Sequence, residues 1–164
     1  MPDIVDPRTR SRMMASVGSK DTKPELTLRQ ALYARGLRYR LHEKSLKGRP
    51  DLVFPKFKAA VLVHGCFWHR HVGCRYSTTP ATRAEFWNAK FDANVALDAD
   101  VFNTLIGDGW RVATVWECAL RKPRDVAVVA DLVVKWLVSG SIAMEIGESE
   151  VMLGVAMPES FSDT

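Results

Sequence analysis

At 164 residues and 47% hydrophobic content, the chain is long enough for one domain with a proper core. No apolar run approaches the roughly 20 residues of a membrane span, and the polar, charged N-terminus lacks the apolar stretch of a secretory signal, so the expected compartment is the cytoplasm. The net charge of +4 hides an asymmetry: residues 1–83 hold 17 Lys+Arg against 6 Asp+Glu, net +11, and residues 84–164 hold 6 against 13, net −7. A basic half of this kind suits a polyphosphate partner, and it is equally compatible with a solvated basic face.

Residues 1–20 lack an apolar period and read as an arm whose Arg8, Arg10 and Arg12 can reach a phosphate backbone. Asp21 or Thr22 is positioned to cap a helix with Pro24 in its first turn, Leu28, Ala31 and Leu32 on one face, and Gly36 at its exit. Glu25 falls in that first turn, where a carboxylate is ordinarily a helix-dipole partner. Residues 37–41 suggest a strand, and a turn through Lys47-Gly48-Arg49-Pro50 leads to two short apolar runs, Asp51 to Phe54 and Ala59 to Val63, expected as consecutive buried strands. From Ala81 a helical face carries Phe86, Trp87, Phe91, Asn94, Val95, Asp98, Phe102 and Leu105 up to Gly107-Asp108-Gly109. A strand over 110–116 and a helix over 123–137 follow. The expected organisation is an arm (1–20), a main domain (21–138) and a tail (139–164) with a short hairpin formed by 142–146 and 151–155. Alternation of strands and helices implies an α/β architecture, a central mixed sheet flanked by helices.

Between the second apolar run and the long helix, three of the four histidines and two of the three cysteines fall within eleven residues, His64 to Cys74. Ligands of this density suit a tetrahedral zinc, with Cys66, His71 and Cys74 completed by Cys118 downstream; the plainer alternative is three buried thiols and a surface histidine. Phe67 and Trp68, flanked by these ligands, are either core or projected outward on a pinned loop. Asp51 is a hard ligand of a different kind. A carboxylate opening an apolar strand is capping, hydrogen-bonded or holding a cation. Pro-Asp on one strand followed by a ligand on the next is the skeleton of the restriction-endonuclease-like nucleases. Where an acidic-x-Lys element is expected there, this chain has Val63-His64-Gly65.

Several ordered blocks resemble the very short patch repair (Vsr) endonucleases: Thr9-Arg10-Ser11-Arg12, Gly48-Arg49-Pro50-Asp51, His64-Gly65-Cys66-Phe67-Trp68-His69, Pro80 to Trp87, and Val115-Trp116-Glu117-Cys118-Ala119-Leu120. The resemblance runs from about Thr9 to the last expected helix. It implies a restriction-endonuclease-like fold and a bacterial, magnesium-dependent enzyme, a monomer, that nicks double-stranded DNA 5′ to the thymine of T·G mismatches left by 5-methylcytosine deamination. By the same resemblance Asp51 binds Mg2+ with help from the Val63 carbonyl. His69 is the general base, Asp98 orients it, and Glu25 and His64 support catalysis. Phe67 and Trp68 wedge into the base stack while Met14, with Met13 beside it, approaches from the other groove. Contacts to mismatch-repair scaffold proteins are a family expectation. The family commonly carries Thr where this chain has Val63, which leaves only a backbone ligand there, and the zinc loop is one residue longer. The competing reading is a non-catalytic, zinc-stabilised DNA-binding module.

Overall fold

The structure, a computed structural model, describes residues 22–156. The expected arm with Arg10, Arg12, Met13 and Met14 lies outside them.

Helix α1, Lys23–Ala34, begins at Thr22, whose hydroxyl accepts the Glu25 amide, and buries Leu28 and Leu32 completely. Two antiparallel pairings follow. Strand β1 (Arg40–Leu41) pairs with β2 (Leu52–Phe54), and β2 with β3 (Ala59–His64). The β1–β2 loop is held close to the long helix at Gly48, where an added Cβ would lie 2.5 Å from a Val101 methyl and where φ is +78°, so only glycine fits. After β3 come a one-turn helix α2 (Cys66–His69) and the 24-residue α3 (Ala84–Gly107). Strand β4 (Arg111–Trp116) pairs in parallel with β3, which the α3 crossover permits. Helix α4 (Pro123–Val138) carries the chain back to β5 (Ala143–Ile146), parallel to β4. The five strands lie in chain order across one mixed sheet.

Alternation along β3 divides the core. Ala59 and Val61 face a large cluster with Leu28, Leu32, Val129, Val133 and Ile146, while Ala60 and Leu62 face a smaller one with Val101 and Leu105 of α3. Helices therefore cover both faces of the sheet, and this α/β arrangement fits a nuclease-like fold.

The tail differs from expectation. Residues 142–146 and 151–155 form no hairpin: β5 joins the sheet, and the second segment lies in a helix, α5 (Glu148–Ala156). Parallel pairing satisfies the open edge of β4 and places Ile146 and Val151, both nearly inaccessible, in the larger core; an isolated hairpin would leave them in water. Among the described residues no helix is long and apolar enough to cross a membrane.

Candidate active site and metal centre

Asp51 stands immediately before β2, next to β3, where the Val63 amide donates to Asp51 Oδ2 at 2.7 Å. This leaves Oδ1 of Asp51 free of the sheet. Behind it lies Glu25, 1% exposed, held by Arg29 Nη1 at 2.9 Å and by His42 Nε2 at 3.0 and 3.1 Å to its two oxygens. Burial, with the Glu25 carboxylate alongside, pushes the Asp51 carboxyl up to about 8 against the pull of the Val63 amide. Two carboxylates packed together out of water are a poor arrangement unless a cation joins them. Glu25, His42 and Asp51 each offer a ligand atom, all within 4.8 Å of one another, and that donor set can hold a divalent ion.

Across the same cleft, of about 810 Å³, His69 ends the short helix α2. Its Nδ1–H donates to Asp98 Oδ2 of α3 at 2.6 Å, which fixes the tautomer and leaves Nε2 as a proton acceptor. The His64 ring stacks on His69 with centroids 4.0 Å apart and planes 7° apart. Burial, reinforced by the neighbouring His69, lowers His64 to about 4, so it stays neutral near pH 7. Phe67 and Trp68 project from α2 against Trp87 and Phe91 of α3, in edge-on and tilted contacts of 5.2–6.5 Å, and both also line the cleft. They are half-buried, anchored on one side and open on the other.

Behind α2 the soft ligands converge. Cys66, His71, Cys74 and Cys118 present donor atoms within 4.8 Å of one another, and His71 Nδ1 lies 3.7 Å from Cys66 Sγ and 3.5 Å from Cys118 Sγ. Ordinary Zn–S and Zn–N bonds at a tetrahedral angle place such atoms about 3.6 Å apart, so the set fits a zinc ion. The Cys66 thiol lowers Cys118 to about 6, helped by the Glu148 amide on its sulfur at 3.2 Å, while Cys66 itself is driven upward by Cys118 and by burial. At Gly147 an added Cβ would lie 2.6 Å from His71 Cε1, so the β5–α5 junction closes over this cluster. Arg75, just after Cys74, pairs with Glu148 at 2.9 Å and adds a second tie.

Trp116, at the end of β4, links the two regions. It stacks on His71 at 4.3 Å, meets His64 edge-on at 5.3 Å, and donates its indole N–H to Glu145 of β5 at 2.6 Å.

A family model, described as DNA mismatch endonuclease Vsr, matches residues 2–75. The type II nicking enzyme V.XorIIP of Xanthomonas oryzae pv. oryzae is 46% identical over 120 residues, 73% of this chain and 88% of that relative. The DNA mismatch endonuclease Vsr of Escherichia coli is 44% identical over 121 residues, 74% of this chain and 77% of that protein. The type II nicking enzyme V.NmeAIP of Neisseria meningitidis is 39% identical over 121 residues, 74% of this chain and 86% of that protein. The chain belongs to the Vsr DNA mismatch endonuclease family.

For this Vsr family member the structure gathers Asp51, Val63, His64, His69, Asp98, Phe67 and Trp68 around one cleft, with Glu25 bonded to His42, which also lines it. It gathers Cys66, His71, Cys74 and Cys118 separately. Three participants escaped the sequence reading. His42 is the one histidine outside the dense cluster, and only the β1–β2 register reveals it. The bridging position of Trp116 depends on the parallel register of β3 with β4, and Glu145 on β5 joining the sheet, which the expected hairpin excluded.

Proposed function

We propose that this chain nicks double-stranded DNA 5′ to the thymine of a T·G mismatch, in the repair of deaminated 5-methylcytosine. The carrying observation is the 2.6 Å His69–Asp98 pair across one cleft from the Asp51 carboxylate. Magnesium suits the carboxylate of Asp51 and the carbonyl of Val63, and it would supply neutralisation of charge building on the scissile phosphate. His69 Nε2 accepts the proton of the attacking water, and Asp98 stabilises the resulting imidazolium. Neutral His64, stacked on His69, adds no competing charge, and Glu25 supports the site from behind Asp51. Zinc, held by Cys66, His71, Cys74 and Cys118, fixes the turn that presents α2.

Phe67 and Trp68 enter the base stack at the lesion. Their anchoring on Trp87 and Phe91 keeps the wedge rigid, and a wobble pair costs less to unstack than a matched one. The arm residues Arg10, Arg12 and Met14 contact the DNA from the other side. An asymmetric lesion suits a monomer acting in the bacterial cytoplasm, and mismatch-repair scaffold proteins are its candidate partners.

The deciding experiment incubates T·G and matched T·A duplexes with Mg2+ and compares the native chain with Asp51→Ala and His69→Ala. Nicking of T·G alone by the native chain, lost in both variants, is expected. Binding without nicking by the native chain would favour the non-catalytic module, and nicking retained in both variants would remove the residue assignment.

A further inference from the structure

The strand register sets up an interaction that a catalytic carboxylate pair alone does not need. Arg40 pairs with Val53 and Leu41 with Leu52, so the next residue of β1, His42, comes opposite Asp51. The backbone confirms the continuation: His42 N–H donates to the Asp51 carbonyl at 3.2 Å. At His42 the chain then turns out of the sheet with φ of +47°, a left-handed conformation uncommon for a residue with a side chain. The ring is thereby directed to Glu25, with Nε2 3.0 and 3.1 Å from its oxygens and 3.9 Å from Asp51 Oδ1.

Neutralising Glu25 does not require this. Arg29 already holds Glu25 at 2.9 Å. The placement also differs between the partners: the Glu25 side chain is 2% exposed, while His42 and Asp51, at 19% and 15%, line the open cleft. His42 and Asp51 are therefore the two donors of this group that an ion entering from solvent meets first. The other imidazoles of the cleft, His64 and His69, group with Asp98, whereas His42 groups with Glu25 and Asp51.

We propose that His42 is a ligand of the cation at Asp51, which gives the site a mixed nitrogen and oxygen donor set with a preference for Mn2+ over Mg2+. This rests on the proposed role of Asp51 as a cation ligand and adds to it the identity of the third donor. Magnesium favours oxygen donors and keeps its waters, whereas imidazole suits the transition-metal ions, so His42 contributes to holding manganese and little to holding magnesium.

The test uses the full chain purified without chelator, so that the cysteine cluster is undisturbed, and Mn2+ as probe. Titration followed by electron paramagnetic resonance gives affinity, and pulsed resonance on the bound ion detects the nitrogen of a directly bound imidazole. The native chain is expected to show that nitrogen signal. His42→Gln and His42→Asn, checked for folding by thermal melts, lose it. Their Mn2+ affinity falls by about 10-fold or more, as for loss of a ligand, with Mg2+ affinity changed less than about 3-fold by competition. Should both variants fail to fold, the double variant His64→Gln/His69→Gln decides, because the signal persists there only if another imidazole is the ligand. Absence of the signal in the native chain, its loss in that double variant, or its survival in His42→Gln overturns the assignment. No DNA or turnover enters these measurements. A chain that binds Mn2+ through His42 and nicks nothing refutes the proposed function and leaves this inference standing.

Discussion

Replacing Asp51 by Asn should stabilise the cation-free protein while abolishing its nicking. The Asp51 carboxyl rises from its ordinary 3.8 to about 8, first through burial and then through Glu25 beside it. A group whose folded pKa is raised contributes stability at low pH that is lost as pH climbs to the folded value, so the ion-free protein weakens between about pH 4 and pH 8. At about 1.4 kcal/mol per pH unit the ceiling is about 6 kcal/mol. Water entering the open cleft screens part of this, and about 2–3 kcal/mol is a reasonable expectation. Asn keeps the oxygen that accepts the Val63 amide and carries no charge. In a chain of this size each kcal/mol moves Tm by about 2–4 °C, so Asp51→Asn should melt roughly 5–10 °C above the native chain at pH 8.5 in magnesium-free buffer. The gap should shrink towards pH 5. Adding Mg2+ should raise the native chain and leave the variant unmoved. The assay is thermal unfolding by circular dichroism without chelator, which keeps the cysteine cluster out of the comparison. A variant that melts at or below the native temperature at pH 8.5, or a gap independent of pH, would refute the idea that the site is built around an uncompensated charge.

His69→Ala should cost about 10²–10⁴-fold in single-turnover nicking of a T·G duplex with binding retained, as expected for loss of a general base, whereas a comparable loss of binding would assign His69 to DNA contact. Asp98→Asn should shift the pH dependence of that rate, because an amide no longer stabilises the imidazolium; an unchanged profile would exclude the pairing as functional. His64 is lowered to about 4, so its neutral form contributes stability above pH 6.5 that is lost as pH falls towards 4. In Mg2+ buffer the native chain should therefore lose stability over that range more steeply than His64→Gln, as read by urea denaturation at several pH values. Metal analysis should find about one zinc per chain, and Cys118→Ser should release it and lower Tm by several degrees; a zinc-free native protein with unaltered Tm would dismiss the structural metal.

The sequence was most readable where local pattern and chemistry coincide. Thr22 caps α1 as its hydroxyl and the following Pro24 require, and β3, β4 and α4 fall within a residue or two of the apolar runs that suggest them. Cys66, His71, Cys74 and Cys118 were legible as a set because four soft donors on a short chain have few other uses. Strand pairing was not legible, and the misreadings follow from it. Residues 142–146 look like half of a hairpin because their pattern is that of a half-buried strand, and nothing local records that the edge of β4 is free to take them. The long helix begins at Ala84, after Arg83 turns the chain at φ of +58°, a start that no capping residue announces.

The same dependence on pairing explains why the two donor clusters sit so near each other without mixing. Asp51 and Val63 belong to the antiparallel β2–β3 side, whose backbone amide aims a carboxylate at the cleft. Cys118 follows directly on β4, whose parallel register with β3 sets Trp116 beside His64. Helix α2 then spans the gap in one turn, beginning at Cys66 among the sulfurs and ending at His69 in the cleft. A helix of four residues cannot hold its own shape in water. Its orientation is imposed from outside, by the cysteine cluster at one end, Asp98 at the other, and the Trp116 ring packed between His71 and His64. Any loosening of the soft cluster therefore reaches His69 through α2, whose first residue, Cys66, belongs to that cluster.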